Sequence, residues 1–232
     1  MSRRKGAAVL AITVTQLAWT IAAAANGLYP TRDLTRETAH LERAVNGIFK
    51  RGLEPHLTRD EARALSVVRF EFPLPGPDDP YLNFYAGHVN GRPTVILPLQ
   101  SLKLVEALTI AFAWSYHMGR NFGPLDLYFG MVQRKALDDF GSPDRRDMLN
   151  VLGVPGRIWE TNKAIDRLSL SLRNEAFAFV LAHELGHLRY RHGSVAARGT
   201  PGARADEIQS DAFALDLLAR TGTPPMGAIH FF

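Results

Sequence analysis

The segment from Asn174 to His187 constrains the chain most. Asn174-Glu175-Ala176-Phe177-Ala178-Phe179-Val180-Leu181-Ala182 holds no proline or glycine and reads as helix. It runs directly into His183-Glu184-Leu185-Gly186-His187. On a helix, residues i and i+4 project from one face, about 6 Å apart at Cβ. Two imidazoles at that spacing can hold one zinc ion. Glu184 lies beside the pair but off its line, where it can take a proton from a water held there. The helix is apolar at nearly every other position, so the imidazoles are expected to be buried and to need partners. Gly186 leaves space at the level of the metal. The plainer alternative is a metal-free helix in which His183 and His187 are packed core residues.

A third ligand is available in Glu207, twenty residues after His187. Glu207 opens a second helix-like stretch, Glu207-Ile208-Gln209-Ser210-Asp211-Ala212-Phe213-Ala214-Leu215. Glu207 and Asp211 are i and i+4, so both point the same way. Glu207 can complete a three-ligand site with one open position, and Asp211 can accept a hydrogen bond from the far nitrogen of His183 or His187. Asp206 could compete as a ligand, but a helix turns it about 100° away from that face. The rival account of Glu207 and Asp211 is a solvated helix face.

Composition narrows the rest. A chain of 232 residues suits one sizeable domain, and 46% hydrophobic with 22% charged residues is near a soluble globular average. Cysteine is absent, which excludes disulfides, a thiol nucleophile and cysteine-ligated metals. The net charge is +4, and Arg3, Arg4 and Lys5 account for three of it. No Lys/Arg stripe interleaved with aromatics is present, so nucleic acid is not an expected partner. The same three residues precede an apolar run from Gly6 to Ala25 that ends in four alanines. That pattern reads as a secretory signal peptide cleaved after Ala25, or as a retained membrane anchor over residues 6–25. Either reading puts the remainder outside the cytoplasm, secreted, periplasmic or held at the inner membrane. The expected domains are therefore a leader or anchor over residues 1–30 and one domain over 31–232.

Between leader and metal helix, the pattern suggests a helix over Thr31–Arg51 and a second capped by Thr58 with Glu61 three residues on. Strands are expected over Ser66–Phe72, Tyr81–Gly87 and Pro93–Pro98, with Asn90-Gly91 as a turn. Leu99–Tyr116 reads as a buried helix. Gly119–Pro155 reads as an insert, with a short helix near Gln133–Phe140 and a possible role as a lid. The segment up to Arg51 could be a prosegment. His40, His56, His88 and His117 have no metal-like spacing.

Residues 174–220 resemble the gluzincin metallopeptidases, most closely those of the M48 type. The likeness rests on Glu175 ahead of the apolar run, His183-Glu184-Leu185-Gly186-His187, His192 five positions on, and Glu207-Ile208-Gln209-Ser210-Asp211-Ala212-Phe213-Ala214. It is weaker over residues 88–112. The metzincin pattern does not fit, because Tyr190 and Gly193 stand where it needs glycine and histidine.

The resemblance implies a zincin-like α+β fold, mostly helical with a small sheet, and one zinc per chain on His183, His187 and Glu207. It implies Glu184 as general base and acid in a zinc metalloendopeptidase acting on peptide or protein substrates. His192 is expected as a structural or surface residue rather than a ligand. A residue after Glu207 would stabilise the oxyanion, and His230 and Arg220 are the candidates. A short edge strand over Thr94–Leu97 would align an extended peptide. The alternatives are a catalytically idle zinc-binding scaffold or regulator in the envelope, and a metal-free binding module.

Overall fold

The first two helices start differently, and only the second is capped by a side chain. Helix α1, Thr31–Gly47, buries Leu34, Leu41 and Val45 on one stripe and continues through a wider π-type turn, Ile48–Leu53, that buries Phe49 and Leu53. Helix α2, Arg59–Leu65, begins in the expected capping box: Thr58 Oγ1 accepts from the Glu61 backbone, and the Thr58 backbone donates to the Glu61 carboxylate. Strands β1 (Arg69–Glu71), β2 (Tyr85–Val89) and β3 (Arg92–Ile96) follow. Then come α3 (Leu99–His117), α4 (Gly123–Gln133) and the short helices α5 (Pro143–Arg146), α6 (Met148–Val151) and α7 (Ile158–Thr161). Two long helices close the order, α8 (Lys163–Tyr190) and α9 (Val195–Thr221). This computed structural model describes residues 27–76, 78–134, 136–137, 141–192 and 195–224, with backbone alone at 144 and 195–200. The leader and His230 lie outside the described residues.

The chain is α+β, mostly helical, with one three-stranded mixed sheet in the order β1-β3-β2. Asn90 and Gly91 both have positive φ, 51° and 75°, as a two-residue hairpin turn of the right twist requires. Strand β3 runs antiparallel to β2 and parallel to β1. It is therefore the central strand, and Thr94–Leu97 is not the open edge expected from the sequence. The open edges among the described strands belong to β1 and β2. The first strand is shorter than Ser66–Phe72, and the second sits later than Tyr81–Gly87.

Helix α3 is buried along most of its length and packs against α8 and α1. Because Leu34, Leu41 and Val45 belong to the same core as α3, removing α1 as a prosegment would open that core. The 119–155 segment is anchored in the core. Its α6 packs on α3, and Tyr128, Leu137 and Met148 are fully buried. Its longest helix ends at Gln133 rather than beginning there. Residues 135 and 138–140, where the short helix was expected, lie outside the described set. Among the described residues no helix is long and apolar enough to cross a membrane.

Between α1, α3 and α8 lies a polar cluster. Glu106 meets Arg173 Nη1 at 3.0 Å, Lys103 Nζ at 3.2 Å and His40 Nε2 at 3.3 Å. Burial alone would raise this carboxyl, but the hydrogen bond from His40 and the Lys103 and Arg173 charges bring it down to about 2. A carboxyl depressed from 4.5 contributes stability that is complete above 4.5 and is lost as pH falls toward about 2. The gap is worth about 3 kcal/mol at most. Urea titrations at several pH values should show this loss in the parent and a much flatter profile in Glu106→Gln. Parallel profiles would show that Glu106 does not carry the acid sensitivity.

Candidate metal centre

The centre forms where α8 and α9 cross. Gly186 sits at the crossing, and a Cβ built on it would lie 2.9 Å from Ser210 Cα and 3.3 Å from Ser210 O. No real side chain tolerates that approach to backbone, so glycine is what lets the two helices meet. Ser210, fully buried, is the facing residue. Gly186 therefore does more than leave room for a ligand. It brings Glu207 and Asp211, on either side of Ser210, onto the histidine pair.

His183 Nε2 and His187 Nε2 are 3.0 Å apart. Glu207 Oε2 lies 3.1 Å from the first and 3.6 Å from the second. These three side chains could hold a metal ion, with ligand atoms all within 4.8 Å of one another. Glu207 is in the middle of α9 rather than at its start, because the helix runs through Pro201, twelve residues beyond Val195 at its outset being Glu207 itself.

The outer nitrogens are also engaged. His183 Nδ1–H donates to Asp211 Oδ1 at 2.8 Å, which leaves its Nε2 lone pair facing inward. The His187 Nδ1 meets His192 Nδ1 at 3.0 Å. For His187 to offer Nε2 as a ligand, its Nδ1–H must donate to His192. His192 Nε2–H then donates to Gln209 Oε1 at 3.0 Å, with Asp206 Oδ1 3.5 Å away. His192 meets the outer nitrogen of His187, and it is not a surface residue: its side chain is only 3% exposed. Its placement depends on Arg191, a left-handed C-cap with φ 55° that turns the chain back under α8. Asp206 faces His192 and not the ligand triangle.

Charge completes the picture. Burial first, and the Glu207 charge second, push the Glu184 carboxyl up to about 8. Burial and the neighbouring His183 hold His187 low, which favours the neutral imidazole a metal needs. Glu207 and Asp211 pair with imidazoles alone among the described residues. Arg220 is not an oxyanion donor here. It is committed to Glu61, to Asp216 and, at 2.6 Å, to the His56 carbonyl, tying the end of α9 to the start of α2.

Gly186→Ala must force α8 and α9 apart against backbone. The expected cost is about 1–3 kcal/mol of stability, together with weaker retention of added metal. Thermal unfolding with and without zinc checks both. A variant as stable and as metal-retentive as the parent would show that the crossing does not depend on glycine.

No protein-family model, curated protein or solved structure matches the chain.

Proposed function

We propose that the chain is a zinc-dependent endopeptidase, with His183, His187 and Glu207 holding the ion and Glu184 as general base and acid. One observation carries the reading: two Nε2 atoms and one carboxylate oxygen converge at 3.0, 3.1 and 3.6 Å. Tetrahedral zinc with bonds of about 2.0–2.2 Å spaces its ligand atoms by about 3.3–3.6 Å, close to those distances. Two histidines and a glutamate are a donor set of catalytic zinc, and both imidazoles are oriented from outside. The zincin-like arrangement and export behind the 1–25 leader belong to the same proposal.

When bound, zinc supplies a Lewis acid that polarises a carbonyl and lowers the pKa of a water. Glu184 takes the proton of the attacking water and passes it to the leaving amine, so the C–N bond breaks to carboxylate and amine. Burial holds the Glu184 carboxyl out of bulk solvent, which keeps its proton affinity high. Drawing the Glu207 charge onto a cation removes the second cause of that rise. His187 stays oriented through His192, and His183 through Asp211.

An extended substrate fits the open edge of β2, which packs along α8. Val89 and Arg92 flank the two-residue turn and form its hydrogen-bonded pair, so His88, opposite Pro93, directs its N–H and C=O outward. His88→Pro should leave the hairpin and the metal in place but lower peptide turnover. Unchanged turnover would remove β2 as the docking edge.

The central test measures zinc per chain and peptide cleavage together. The parent and Glu184→Gln should each keep about one zinc, and Glu207→Ala should lose it on dialysis. Cleavage in Glu184→Gln should fall at least about 100-fold. A parent that holds zinc but cuts no peptide would favour the idle scaffold. A parent that holds no zinc would return the histidine pair to core packing.

A further inference from the structure

A second site stands apart from the metal centre, on the N-terminal half of α8. A cavity of about 340 Å³ opens between α1, α3, α7 and α8. That is the size of a small-ligand pocket, at its lower end. Arg173 on its wall lies ten residues before His183, about 15 Å along the helix.

The unspent valences of the wall say what it can take. The cations are already used: Lys103 holds Glu37 at 2.6 Å and Glu106 at 3.2 Å. Arg173 spends Nη1 on Glu106 and Nη2 on Asn174, and its unpartnered Nε is closed off from solvent. An anion would therefore have to compete with Glu37, Glu106 and Asn174 for these charges. The acidic groups are not used up. Among the described residues Glu37 has one oxygen without a partner, and the Asp166 carboxylate meets only Lys163, at 3.7 Å. Three carboxylates (Glu37, Glu106, Asp166) against Lys103 and Arg173 leave a formal charge of −1, counting His40 as neutral. Trp159, half-buried, adds an aromatic surface to the same wall. A bare metal ion is a poor occupant. The only three His, Asp or Glu side chains with converging ligand atoms among the described residues are His183, His187 and Glu207.

We propose that this cavity binds an organic cation, the guanidinium or ammonium of a basic amino acid, between Trp159 and the Asp166 and Glu37 carboxylates. Aromatic surface beside free carboxylates suits such a group, which carries its charge on several N–H donors. The proposal does not rest on the peptidase reading.

The test is calorimetric titration of the full chain with arginine amide, with citrulline amide as its uncharged counterpart, and with an acetylated Ala-Arg-Ala amide. Arginine amide should bind and citrulline amide should not. Binding of the peptide as well would identify the source as a polypeptide side chain, and binding of arginine amide alone a free amine. Asp166→Asn and Trp159→Leu should each weaken binding at least about tenfold. His183→Ala should leave it unchanged. Two results would overturn the proposal: no heat from arginine amide at millimolar concentration, or binding that survives both cavity variants. Asp166 is partly exposed at the mouth, so its isosteric replacement keeps the test valid if the Trp159 variant unfolds.

Discussion

The backbone contact between Gly186 and Ser210 is what the candidate centre hangs on. Helices normally keep 8–10 Å between axes, because side chains stand between them. Here one side is a glycine and the other a buried serine, and a Cβ on the glycine would lie 2.9 Å from Ser210 Cα. Gly186 lies between the two histidines, and Ser210 lies between Glu207 and Asp211. The crossing point and the ligand triangle are therefore the same place. The geometry of the four polar side chains is set by two rigid helices rather than by a loop, which favours precise positioning.

Charge distinguishes the group at this crossing, which could hold a metal ion, from the carboxylate at Glu106. Glu106 is also a largely buried carboxylate, but Lys103 and Arg173 compensate it and it stays ionised down to about pH 2. Among the described residues Glu184 has no such partner. Its carboxyl is pushed the other way, to about 8, by burial and by Glu207. Buried carboxylates are costly unless paired, and around Glu184 and Glu207 the available partners are imidazoles whose inward nitrogens are lone pairs. Two buried carboxylates thus meet different surroundings: Glu106, on α3, is compensated by the protein's own cations, and Glu184, on α8, lies beside groups that could hold a metal ion.

What was legible in the sequence follows from how local each feature is. The histidine pair, Glu207 and Asp211 could be read because helical spacing alone decides which way they face. The Thr58–Glu61 box and the Asn90-Gly91 turn were legible for the same reason. His192 was not, since its inward aim depends on the left-handed turn at Arg191, which no periodicity reports. The central position of β3 depends on a parallel pairing with β1 across more than twenty residues, so a strand reading could not tell edge from centre. Glycines and prolines made 119–155 look peripheral, while Tyr128, Leu137 and Met148 anchor it in the core. Gly199 and Pro201 likewise masked the true start of α9.

Placing both sites on α8 has a physical consequence. A helix of 28 residues is about 42 Å long, and its buried face fixes the spacing between anything mounted on it. Asn162 caps its start through Ala164 and Ile165, and the Arg191 turn closes its end. Neither end needs to move for the inner faces to meet a ligand. α3 and α9 make the most extensive contacts with α8. The tight Gly186 contact makes the α9 side the stiffer of the two. A rotation of α8 there would drive helix backbone into Ser210, whereas α3 meets α8 through side chains, apolar ones together with the Glu106–Arg173 pair. The architecture therefore favours two sites held at fixed separation over two sites that switch each other.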